Sequence, residues 1–211
     1  MKRIFLILMA CVFLSACDNK PDAPFGFKWG QSIEDVKKLD LPGFEVDEYG
    51  SGLSIASAQS APSDVYDAGH FGLTFMQPVG LMRIIMLSET VDKDDFNFND
   101  GKALYQKISS MLEEKYALPK KITEKVDKDG DKFYFCLQDE SCGVWKREYE
   151  KDNVKVTLEV SPTHGQLING IGKAHIVLTY EYLTDKMKSQ IKAAIEGVAR
   201  KEEKKSKENV Y

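Results

Sequence analysis

Hydrophobic and polar positions alternate most cleanly at 154 to 160, where Val154, Val156, Leu158 and Val160 are separated by Lys155, Thr157 and Glu159. A period of two predicts a strand with one buried and one wet face, the habit of antiparallel sheet. "AHIVLTYEYL" at 174 to 183 repeats the pattern, with Ile176, Leu178, Tyr180 and Tyr182 on one face. His175 falls on the other face with Thr179 and Glu181, where it is expected to be solvated. "FGLTFMQPVGLMRIIMLSETV" gives two apolar runs about a turn that carries Pro78 and Gly80, which predicts a hairpin. "GSGLSIASAQ" is a weaker strand signal, and "FYFCL" and "CGVWKREYE" read as two more strands.

The helical period appears three times. Leu104, Ile108, Met111 and Leu112 stand at i, i+4, i+7 and i+8, which predicts a helix over 101–116 with that stripe in the core. Asn99 or Asp100 supplies its N-cap and Pro119 its stop. Near the start, Phe25, Phe27 and Trp29 alternate with Gly26 and Lys28 as in a short strand, Gly30 breaks it, and Ser32 caps a short helix carrying Ile33, Val36 and Leu39. The last helix starts at Thr184 and is expected to turn Met187, Ile191, Ala194, Ile195 and Val198 to the core. Residues 200–208 hold five basic and three acidic side chains, a solvated helix end expected to fray into a charged tail over 200–211.

The element order is helix, strands, helix, strands, helix. Runs of strands separated by helices predict an α+β fold, antiparallel sheet with three helices, in one domain over 25–199. Each half places strands after a helix, so the domain reads as two similar halves meeting near 92–100, without a residue-level repeat.

Two cysteines of the body, Cys136 and Cys142, flank "LQDES". An oxidising compartment would close such a pair, and the expectation is a disulfide clamping a hairpin turn. Its spacing is not that of a C-x-x-C redox site. Hydrophobic content of 43% is ample for a core, and 29% charged residues of both signs describe an ordinary wet surface. The formal charge is −4, which gives no basic face for nucleic acid, so no nucleic-acid partner is expected.

The first residues change the picture most. Lys2 and Arg3 precede an apolar run from Ile4 to Leu14, matching a secretory leader and too short for the roughly 20 residues of a bilayer span. Leu14, Ser15, Ala16 and Cys17 then resemble the bacterial lipobox. The resemblance implies removal of residues 1–16, a diacylglycerol thioether on Cys17, acylation of the new amino group, and stable anchoring by more than one chain. Loss of Lys2 and Arg3 would leave the mature chain at −6. Asp18 and Asn19 resemble the sorting signal that retains lipoproteins of enteric-type bacteria in the inner membrane, facing the periplasm. Residues 17–24 read as a tether, at most about 30 Å long when stretched. "FGFKWGQSIEDV" resembles a W-G-x-S-x-E-x-V opening of uncharacterised exported proteins, and distantly the first helix of small outer-membrane assembly lipoproteins of the BamE type. Neither implies an activity. Phe27 and Trp29 are expected to plug the core, with an aromatic docking patch as the alternative.

The chemistry that tempts the eye fails on spacing. "DKDGDKF" at 127–133 has its glycine too early for an EF-hand, and Gln138 stands where the closing glutamate belongs, so a turn into a strand is expected. "GQLINGIGK" at 165–173 imitates a P-loop but puts Ile171 in place of the lysine, which leaves a loop. Asp92, Asp94, Asp95 and Asp100 fit no metal-binding loop, and no cofactor is expected. His70, His164 and His175 form no metal or catalytic motif, no nucleophile elbow is present, and no enzyme is expected. The sequence therefore points to a lipid-anchored envelope protein that binds or helps assemble another envelope protein. The alternatives are an immunity or inhibitor lipoprotein against a periplasmic toxin, and an enzyme whose site is assembled only by the fold.

Overall fold

The computed structural model of the chain describes residues 20–65, 67–91, 99–163 and 174–208. The leader, Cys17, Asp18, Asn19, Asp92, Asp94, Asp95, His164 and the loop over 165–173 lie outside them. Eight strands form one antiparallel sheet: β1 (Glu45–Glu48), β2 (Leu53–Ala58), β3 (Ala68–Met76), β4 (Gly80–Ser88), β5 (Lys121–Val126), β6 (Gly143–Lys151), β7 (Val154–Pro162) and β8 (Ala174–Tyr182). Their spatial order is β1-β2-β3-β4-β8-β7-β6-β5. The sheet is thus two four-stranded meanders joined along β4 and β8, where Ile84 pairs with Tyr180 and Met86 with Leu178.

Register follows the alternation read in the sequence. Ala56, Leu73, Ile84, Tyr180, Val156 and Tyr149 lie in a row across one face and all are buried. The opposite face is wet. It carries a ladder of charge in which Arg83 pairs with Glu181, and Glu148 approaches Lys155 at 3.4 Å and Lys146 at 3.8 Å. Such exposed pairs each contribute little to stability.

Four α-helices are described: α1 (Ile33–Lys37), α2 (Asp100–Tyr116), α3 (Phe133–Cys136) and α4 (Asp185–Glu208). α1 begins as expected, Ser32 Oγ accepting the Asp35 amide at 3.1 Å. α2 covers the second meander, touching β6, β7 and β8. Asn99 occupies its N-cap position through its carbonyl, which accepts the Ala103 amide at 2.8 Å, and makes no side-chain cap. α4 begins at a true cap, Thr184 Oγ1 accepting the Met187 amide at 3.2 Å. It runs on through Glu208 where a fraying end was expected.

Several expectations need correction. Residues 25–29 are not a strand. Pro24–Gly26 form a 3-10 turn, because Pro24 donates no amide and Phe25 and Gly26 both take positive φ. "FYFC" is the helix α3 and not a strand. Phe133, Tyr134, Cys136 and Leu137 are all buried, a spacing only a helix turn allows. Cys136 and Cys142 do form a disulfide, with 5.1 Å between their Cα atoms, but it ties the end of α3 to the start of β6 and clamps no hairpin. The turn at 127–133 accordingly leads into a helix. The edge strands β1 and β5 carry no apolar alternation strong enough to predict them: β1 is "EVDE" and β5 "KITEKV".

Two helix faces are also corrected. α2 buries Gly101, Tyr105, Ser109, Leu112 and Tyr116, while Met111 is 61% exposed. Of the α4 residues expected in the core, Met187 is buried, Ile191 and Ala194 are half-buried and Ile195 is 46% exposed. Val198 lies outside the residues whose side chains are described. His175 is half-buried, not solvated, because its Nδ1 lies 2.7 Å from the Ser88 carbonyl oxygen.

Candidate functional site: an apolar groove beside α2

The helix-opening segment explains its own wording. The Gly30 amide donates to the Leu81 carbonyl and the Leu81 amide to the Gln31 carbonyl, both at 2.9 Å. A Cβ on Gly80 would lie 2.4 Å from the Gly30 carbonyl oxygen, and Gly80 sits at φ +78°. The two backbones touch there, which excludes a side chain at Gly80, while Gly30 of the W-G pair meets the turn through its own left-handed φ of +81°. Phe27 and Trp29, the candidate docking aromatics, are 3% and 4% exposed. Trp29 stacks on Tyr182 with ring centroids 5.5 Å apart. They plug the core and offer a partner no ring surface.

Phe25 is different. It holds a left-handed conformation, φ 61°, which is costly for a bulky residue. That backbone turns its ring edge-on to Phe71 at 5.4 Å and to Tyr180 at 5.6 Å. Beside it opens a groove of about 480 Å3. Met86, Leu178 and Tyr180 of the sheet form its floor. Phe25, Gly26 and residues 63–65 make one wall, and Leu104, Ile108 and Met111 of α2 the other. Lys107, Lys115, Asp64 and Asp67 stand at the rim, with Lys107 Nζ 3.5 Å from Asp67.

The orientation of α2 creates this groove. Buried Tyr105, Leu112 and Tyr116 hold one side of the helix inward, and Arg147 on β6 ties that side down. Its guanidinium donates to Glu124 at 2.5 Å, to Glu113 at 3.1 Å and to Ser109 Oγ. Ser109 also meets Tyr149 at 2.9 Å, and the Tyr105 hydroxyl donates to Glu124 at 3.1 Å. The network draws the Tyr105 and Ser109 side of α2 inward and leaves the Leu104, Ile108 and Met111 side over the groove. The Glu124 carboxylate raises the Arg147 pKa further, keeping it charged. Burial, then the Glu124 charge, pushes the Tyr105 phenol well above its ordinary range. Burial also raises Tyr180 and Tyr116.

Chemically the groove offers apolar surface with a mixed-charge rim. Ser109, the hydroxyl nearest to a charged network, is fully buried and cannot meet a substrate. Among the described residues no group of three or more His, Cys, Asp or Glu side chains is placed to hold a metal. No helix among them is long and apolar enough to cross a membrane. The stripe read in the sequence, Leu104, Ile108, Met111 and Leu112, is buried at Leu112, half-buried against the core at Leu104 and Ile108, and exposed at Met111. The missed signal was Tyr105 and Tyr116, which join Leu112 at i, i+7 and i+11 as the fully packed side of the helix. Comparisons with protein-family models, with curated proteins and with solved structures returned no match in any of the three.

Proposed function

We propose that this chain is a lipid-anchored envelope protein, held at the inner membrane facing the periplasm through Cys17, that binds or helps assemble another envelope protein through the α2 groove. The observation that carries the reading is Met111, 61% exposed beside half-buried Leu104 and Ile108 on a helix whose other side is packed. Apolar side chains held over an open groove are a surface waiting for apolar side chains of a partner. The lipobox resemblance at Leu14–Cys17 and the short tether after it support the location.

The test is crosslinked capture from envelopes with the native chain, Met111→Asp and Cys17→Ser. One envelope protein recovered in near-stoichiometric amount with the native chain and lost with Met111→Asp supports the groove. Loss or weakening with Cys17→Ser supports the anchor. Equal recovery with native and Met111→Asp chains would sink the groove as the engagement site.

A further inference from the structure

α4 raises a question that the groove does not answer. It is 24 residues long, yet Met187 is its one described side chain that is buried. The rest of its apolar stripe runs off the body: Ile191 half-buried, Ile195 46% exposed. At about 100° per residue, Met187, Ile191, Ala194 and Ile195 fall within about 100° of arc. On the same wheel Lys188 stands at one edge of the arc, Lys192 about 60° beyond that edge and Lys186 about 80° beyond the other. Asp185 and Glu196 lie further round and pair with two of those lysines, Lys188 Nζ 2.9 Å from Asp185 and Lys192 Nζ 4.0 Å from Glu196. Exposed pairs of this kind are weak enough to exchange for lipid phosphates, and lysines on both sides of an apolar stripe suit a helix that lies in a headgroup layer.

A second observation is independent of that pattern. Lys20 shares a cavity with Thr184, Lys186, Met187 and Gln190, so the N-terminal segment leaves the body at the base of α4. The α4 residues of that cavity are Lys186, Met187 and Gln190, so the segment leaves beside the Lys186 edge of the stripe. Lys20 stands three positions after Cys17, a reach of about 10 Å. An acyl anchor on Cys17 would therefore hold a bilayer surface close to the base of α4.

We propose that α4 is a second membrane contact, lying on an anionic bilayer with Ile191 and Ile195 in the headgroup layer and Lys186, Lys188 and Lys192 on lipid phosphates. This inference rests on the anchor reading given above. It fixes which pole of the molecule faces the membrane, and its test can fail separately from that reading.

The test places an environment-sensitive fluorophore on Ile195→Cys in the full chain with its disulfide intact, and a control fluorophore on Met111→Cys. Vesicles are phosphatidylcholine alone, or phosphatidylcholine with phosphatidylglycerol. The expected result is a blue shift at position 195 with the anionic vesicles, none at 111, and loss of the shift at high salt. Lys188→Glu with Lys192→Glu is expected to weaken vesicle association of the Cys17→Ser chain about tenfold or more. If the native chain floats with vesicles while position 195 stays in water, α4 is no membrane contact and the anchor stands. If the native chain fails to float but the Cys17→Ser chain shows the salt-sensitive shift, the anchor reading falls and α4 stands. A shift at 195 elicited by envelope proteins free of lipid, and not by vesicles, would overturn the proposal in favour of a protein partner.

Discussion

The two meanders have the same strand layout but are covered in different ways. Beside the first, the cover is a five-residue helix and a plug of Phe27 and Trp29 that reaches the seam, Trp29 stacking on Tyr182 of β8. Over the second it is the 17-residue α2, tied down by Arg147. One cover is local, aromatic and dry. The other is long and oriented by charge. The groove lies where they fail to meet, with Phe25 on one bank and Met111 on the other. A sheet clothed by two equal helices would close that gap, so the opening follows from the inequality.

Trp29→Ala breaks the first cover and carries the largest expected loss, about 4 kcal/mol by chemical denaturation. Trp29→Phe should cost far less than that. The indole Nε1 is buried with no partner among the described residues, so its removal leaves nothing unpaired. Arg147→Met breaks the second cover, at about 3 kcal/mol, because Glu113 and Glu124 lose their cation beneath α2. Hydrogen exchange should then rise in α2 before it rises in β2 and β3, and a uniform rise would deny that the covers are separate. Replacing both Cys136 and Cys142 by Ser should cost about 2 kcal/mol, confined to the α3 corner of the second half.

Alkaline pH probes the same contrast more gently. Tyr105, Tyr116 and Tyr180 have raised pKa values, so the unfolded chain ionises first. Their contribution is complete below the ordinary tyrosine range near pH 10 and is lost as pH climbs through and above it. Denaturation midpoints measured on both sides of pH 10 should fall with pH, and less steeply in Tyr105→Phe. The smallest expected effect on stability is that of Met111→Ser, within about 0.5 kcal/mol, although partner recovery should collapse. A large loss of stability there would show that Met111 is core after all.

The central strands were legible because burial imposes a period of two. Val154 to Val160 sit as their alternation requires, and the order helix, strands, helix, strands, helix survives with α3 added. The outer strands β1 and β5 were not legible, since an edge needs no second apolar face and favours charges that deter stray pairing. "FYFC" misled because aromatic residues favour strands while the disulfide and the packing of Phe133 against Trp145, at 5.3 Å, favour a turn of helix. The groove could be half seen. Its α2 wall was in the sequence as an apolar stripe, but the network that ties the Ser109 side inward runs through Arg147, 38 residues away from Ser109 in the chain.

The shared cavity of Lys20 and Met187 has a further consequence for how the chain could be rearranged. The described chain begins beside the start of α4, while the two halves are linked in sequence through residues 92–98. The seven strand pairings hold each meander together and seam β4 to β8, and none depends on which half comes first. A circular permutant opened between Val91 and Asn99, with α4 kept and its end joined to Lys20 by a polar linker long enough to run back along the helix, should fold to the same sheet. The order of the halves would then be an accident of history, while their seam is a requirement of the fold.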